Sequence, residues 1–107
     1  EILRHPENRP TALLCFNDVV AIGAYRAAYE LGLHIPEDIS IVGFDNIEIG
    51  KVLGPPLTTV SVQPRLVGQA AADILISVLK GEVKNGFVHR LMPVSLLERG
   101  SVKDLQA

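Results

Sequence analysis

Short polar side chains stand at the ends of two apolar runs: Asn17 and Asp18 follow residues 11–16, and Asp45 and Asn46 follow residues 39–44. A carboxylate accepts hydrogen bonds and a carboxamide both accepts and donates, so such groups held in fixed geometry suit the hydroxyls of a polyhydroxylated ligand. Catalysis is not required of them. Each residue also has a plainer use. Asp18 is placed as the N-cap of the helix that follows, and Asn17 and Asp45 can close Asx turns where strands end. The residue types assign Asp18 to capping and leave Asn17 and Asp45 between ligand contact and turn formation.

Other reactive constellations are missing from the sequence. His5, His34 and His89 fall in a loop, a turn and a strand edge, with neither triad nor metal-ligand spacing around them. The glycines form no dinucleotide fingerprint, and Gly50-Lys51-Val52-Leu53-Gly54 lacks the Lys-Ser/Thr ending of a phosphate loop. The expectation is a binding protein rather than an enzyme, with no catalytic residues, metal or cofactor.

Residues 11–16 and 39–44 are too short for helices and apolar on both faces, which suits parallel strands covered by helices. Between them, residues 19–31 have helical spacing, with Val20, Ala24, Ala27 or Ala28 and Leu31 on one face and Gly32 as the stop. The resulting βαβ unit, with its right-handed crossover, carries Asn17 and Asp45 to the same sheet edge. Ligands collect beyond the carboxyl ends of such strands. A second stripe on the helix, Ile22, Tyr25 and Tyr29, asks for another partner, inside a larger monomer or across a subunit interface.

Further on, residues 47–53 suit a short helix ended by Gly54-Pro55-Pro56, and residues 58–62 a third strand stopping before Pro64. Pro64 fits the first position of a helix over 65–80, with Val67, Ala71, Ile74 and Val78 on its apolar stripe and Gly81 at its end. Gly68 inside that helix costs about 1 kcal/mol relative to alanine, which is either tolerated or marks close backbone approach. Asn85-Gly86 is a turn signal, residues 90–97 a last strand, and Pro93 places that strand at an edge or bend. The polar residues after Glu98 are expected to fray.

At 107 residues, 48% of them hydrophobic, the chain can bury one small core. It opens without methionine on residues resembling the end of a helix, and so reads as a piece of a longer protein. A net charge of −2 without any Lys/Arg cluster gives no footprint for nucleic acid or an anionic membrane. The single Cys15 fits a reducing, cytoplasmic setting, and no apolar run approaches the roughly 18 residues of a membrane helix.

Four runs, taken together, resemble a known family: Arg9-Pro10-Thr11-Ala12, Phe16-Asn17-Asp18-Val19-Val20-Ala21-Ile22-Gly23-Ala24, residues 32–46 through Gly43-Phe44-Asp45-Asn46, and Pro56-Leu57-Thr58-Thr59-Val60. Their residues and order are similar to the LacI/GalR family of bacterial transcription repressors, over the last third of its effector-binding region. The resemblance implies an α/β, doubly wound parallel-sheet fold of the type I periplasmic-binding-protein kind, present as a fragment. Residues 1–62 and 88–100 would belong to the C-terminal lobe, 63–87 to the crossover and N-terminal lobe, and 101–107 to a frayed tail. It implies Asn17 and Asp45 as contacts to a sugar or similar small-molecule effector. It also implies Ile22, Tyr25, Arg26 and Leu53 at a homodimer interface, and Ser61, Val62, Gln63 and Pro64 as hinge. Val62 stands where many members carry glutamine. Operator DNA would be bound through an N-terminal helix-turn-helix outside this chain, and a membrane is not a partner. The rivals are a periplasmic sugar-binding protein of a transport system and a small open-sheet enzyme.

Overall fold

Strand β2, Ser40–Phe44, lies at the centre of the larger of two units and carries its most buried apolar side chains beside it. Residues 1–84 and 87–106 are described in a computed structural model, so the expected Asn85-Gly86 turn lies outside them. The chain divides into one unit of Glu1–Ser61 with Ser95–Ala107 and a second of Val62–Val94.

In the larger unit the sheet order follows the sequence: β1 (Ala12–Leu14), β2, β3 (Thr58–Ser61) and β4 (Ser95–Leu97). The first three are parallel, with Leu13 beside Ile41 and Val42 beside Thr58. β4 runs antiparallel to β3, Val60 opposite Leu96, so the sheet is mixed rather than wholly parallel. The last strand is also much shorter than residues 90–97, because its first five positions, Pro93 included, lie in the second unit.

Helix α1, Asp18–Glu30, crosses between β1 and β2 and packs on β2. It buries Asp18, Ala21, Tyr25 and Ala28, the i, i+3, i+7, i+10 positions of one face. The expected core stripe is displaced, since Val20 and Leu31 at its ends are exposed. Ile39, Ile41 and Leu57 are fully buried against α1, and Leu3 joins them from an opening turn closed by the Arg4 amide on the Glu1 carbonyl. Burial pushes the Cys15 thiol up from its ordinary range.

Two corrections concern the loops. Residues 47–53 form a 3-10 turn, Glu48–Val52, rather than an α-helix. The segment expected to fray is instead pinned at its start. Ser101 is fully buried, its hydroxyl donating to the Ile41 carbonyl (2.5 Å) and accepting from the Thr58 amide (2.8 Å). The Lys103 amide then donates to Ser40 Oγ at 3.2 Å, and its ammonium reaches the Glu37 carbonyl.

In the second unit, helix α2, Pro64–Leu79, starts with proline in its first turn, where a missing amide hydrogen costs nothing. Gly81 follows it at a φ of +72°, a conformation that favours glycine. Leu66, Val67, Leu75, Ile76, Val78 and Leu79 are all exposed on it. A Cβ at Gly68 would meet nothing within 4 Å, so the reading of a tolerated glycine fits and that of a close backbone does not.

Candidate functional site

The site is built where β1 and β2 end together. Cys15 donates its amide to the Val42 carbonyl at 2.8 Å, the last rung before the chains turn away into Asn17 and Asp45. Asn17 has extended backbone, and its side-chain oxygen accepts from the Val20 amide at 2.9 Å. Asn17 is therefore the N-cap of α1, and Asp18, expected in that role, is the first helical residue. Capping occupies the carboxamide oxygen and leaves the NH2 of Asn17, half-buried, as the group that can meet a ligand.

Asp18 is fully buried. Its Oδ1 accepts from the Thr59 hydroxyl at 2.6 Å and its Oδ2 from the Ile47 amide at 2.9 Å. A buried carboxylate is stable only when its lone pairs are met, and among the described residues no buried side-chain nitrogen or oxygen lacks a partner. Gly43 faces this group: a Cβ there would overlap Asp18 Oδ1 and stand 3.0 Å from Leu57 Cδ2. Only glycine leaves the carboxylate its space.

Asp45 and Asn46 follow β2 with φ of +107° and +57°, two successive non-glycine residues in a region side chains rarely adopt. Such backbone persists only where its surroundings over-determine it, and it clusters at ligand sites. Here the Asp45 amide donates to the Val60 carbonyl (2.9 Å) and the Asn46 amide to Thr59 Oγ1 (3.3 Å). Arg99 Nη2 donates to Asn46 Oδ1 (2.7 Å), while its Nη1 and amide hold the Leu57 carbonyl and Thr58 hydroxyl. The Asp45 side chain is left exposed at the rim. Phe16 and Phe44, which precede Asn17 and Asp45, are exposed too, at 86% and 37%. A carboxylate, a carboxamide NH2 and two aromatic faces at one sheet edge can bind hydroxylated carbon rings. Thr59, Arg99 and Ser101 were not foreseen from sequence, although two threonines inside a strand are a signal that buried hydroxyls need partners.

Away from this edge, Ile22, Tyr25, Arg26 and Leu53 line one open concavity of about 520 Å³ together with Tyr29 and Leu33. Tyr25 is mostly internal to the subunit, and its hydroxyl donates to the Pro55 carbonyl at 3.0 Å. Burial raises the Tyr25 phenol above its ordinary range, and the nearby Ser101 hydroxyl offsets part of that. Arg26 pairs with Glu30 at 2.8 Å on the exposed surface. In the turn before β2, Asp38 accepts from the His34 amide and approaches its ring, and these bonds lower its carboxyl below the usual range. Ser61 closes β3, while Val62 begins the second unit and Gln63 takes a left-handed φ of +48° just before Pro64. Among the described residues there is no cluster of three His, Cys, Asp or Glu that could hold a metal, and no helix long and apolar enough to cross a membrane.

The periplasmic binding protein-like domain family matches residues 1–102. The HTH-type transcriptional repressor PurR of Vibrio atlanticus is 44% identical over 99 residues, which are 92% of this chain and 29% of that protein. The chain thus spans under a third of the length of that relative. The structure of the Lac repressor dimer bound to operator and the anti-inducer ONPF is 42% identical, with a TM-score of 0.80 over 87% of this chain and 32% of its own. A LacI family transcriptional regulator from Arthrobacter sp. FB24, in complex with lactose, is 36% identical, with a TM-score of 0.82 over 94% of this chain and 37% of its own. The relatives are regulators of transcription rather than enzymes or transport proteins. The chain belongs to the periplasmic binding protein-like domain family, as a part of the effector-binding region of LacI/GalR-type repressors.

Proposed function

We propose that this chain supplies one wall of the effector cleft in a dimeric transcriptional regulator, where a sugar or similar small molecule is met by Asn17 and Asp45. The observation that carries this is the exposed Asp45 carboxylate, held in a doubly positive-φ turn that follows the carboxyl end of a parallel strand, at the sheet edge where β1 runs into Asn17. Effector binding shifts operator affinity by favouring one of two lobe arrangements, with Ser61, Val62, Gln63 and Pro64 as the hinge. Residues 1–61 and 95–100 then form part of the C-terminal lobe, and the second unit part of the other. Operator DNA is bound by a segment beyond these residues. The concavity bearing Ile22, Arg26 and Leu53 meets a second subunit, and Tyr25 supports it from beneath.

The test is Asp45→Ala in the full regulator, with lactose as first probe. A charge-assisted hydrogen bond to a carboxylate contributes about 1.5–3 kcal/mol, so calorimetry should show affinity weakened roughly 10- to 150-fold with operator binding retained. Unchanged lactose affinity in a variant whose parent binds it removes Asp45 from the site. A parent that binds neither lactose nor any other mono- or disaccharide removes sugars as the effector class.

A further inference from the structure

We propose that Asp18 and Thr59 act as a latch that sets where the Asp45 carboxylate stands, making Asp18 a positioning residue for the effector contact. The bearing on effector rests on the proposed role of Asp45; the latch itself does not. Its geometry joins three elements. Asp18 begins α1 immediately after Asn17, its Oδ2 takes the Ile47 amide two residues beyond Asp45, and its Oδ1 takes the hydroxyl of Thr59 in β3. Thr59 Oγ1 in turn accepts from the Asn46 amide. The Asn46 amide inside the positive-φ pair and the Ile47 amide just after it therefore return to one buried hydroxyl and one buried carboxylate, while the Asp45 amide before it is held by the Val60 carbonyl.

That arrangement answers what holds Asp45 and Asn46 in a costly conformation. Released from these bonds, the pair would relax toward negative φ and swing the Asp45 side chain away. Asn17 is attached covalently to the same residue, so a single group fixes the spacing of both proposed contacts. Arg99 on Asn46 Oδ1 is a second tie from the other side.

Thr59→Val keeps the shape and removes the hydroxyl, while Thr59→Ser restores it. Amide hydrogen exchange in the 107-residue chain, which needs no effector, reads the latch. Thr59→Val should speed exchange at Ile47 at least tenfold relative to Ile41, whose amide is tied to Ser101 in the same unit, and Thr59→Ser should return the ratio to that of wild type. A merely structural loss would speed both amides together, and equal acceleration overturns the latch. Should Thr59→Val fail to fold, a through-bond NMR coupling between the Ile47 nitrogen and the Asp18 side-chain carboxyl carbon in wild type tests the same contact; its absence is equally decisive.

In the full regulator, lactose affinity should fall at least tenfold in Thr59→Val and stay within threefold in Thr59→Ser. The core-trimming control Ile39→Val should leave it unchanged. Separated exchange with undiminished lactose affinity would overturn the positioning role alone. An Asp45→Ala variant that binds lactose normally would instead refute the effector reading and leave the exchange result standing.

Discussion

Ser101→Ala removes one oxygen from a residue that the sequence places near the end of the chain, and the structure makes that oxygen costly to lose. The hydroxyl is wholly buried, donating to the Ile41 carbonyl and accepting from the Thr58 amide. Alanine leaves a buried acceptor and a buried donor unmet, at about 1–3 kcal/mol each, or about 2–6 kcal/mol together. A domain of this size has about 5–15 kcal/mol to lose, and each kcal/mol lowers its Tm by about 4–8 °C. Urea unfolding followed by tyrosine emission reads the larger unit by itself, because Tyr25 and Tyr29 both lie on α1 and the chain has no tryptophan. The midpoint should drop with little change in slope. Asp104→Ala is the control: among the described residues its exposed carboxylate accepts only from the Gln106 amide, and the cost should stay within about 0.5 kcal/mol. A Ser101→Ala loss equally small would refute the claim that this segment is pinned, and would restore the frayed tail.

Two further outcomes follow from other sites. The folded-state pKa of Tyr25 lies above its unfolded value near 10, so both states hold the proton at neutral pH and the stabilisation is complete below that value; it should be lost as pH rises past about 10. Tyr25→Phe should flatten that alkaline decline and cost about 1 kcal/mol at neutral pH through the lost bond to Pro55, whereas an unchanged alkaline slope would assign the decline to another group. Tyr29 lines the concavity yet is 85% exposed, so Tyr29→Glu should raise the monomer fraction of the full regulator in sedimentation without lowering its Tm; a dimer as tight as wild type would remove this face from the interface.

The strand–helix–strand core could be read from the chain because it is written locally: apolar runs, a helical period, a glycine stop and a proline start each lie within a few residues of what they control. The same holds for the edge that gathers Asn17 and Asp45, which follows from parallel strands alone. Asp18 escaped because Asn17 and Asp18 are both good caps, and the choice is made by Thr59, 41 residues away, and by the room beside Gly43. Once the carboxylate turns inward, the buried face of α1 runs through Asp18, Ala21, Tyr25 and Ala28, and the expected stripe through Val20 and Leu31 is left outside. Residues 99–103 misled for a similar reason. Their composition is that of a solvated tail, and their partners, Ile41, Thr58 and Ser40, stand 41 to 63 positions upstream.

The carboxylate that fills the side-chain space of Gly43 has a consequence for how this protein can change over generations. A mutation giving residue 43 any side chain must displace the Asp18 carboxylate, which fills the space that a Cβ there would need. Along the chain, the residues that follow β1 and those that close β2 are two separate words. Physically they are one heritable unit, whose halves can drift only as a pair. Exposed rim residues such as Asp45 and Phe16 can be exchanged without disturbing that joint, so variation is easier there than at the joint itself.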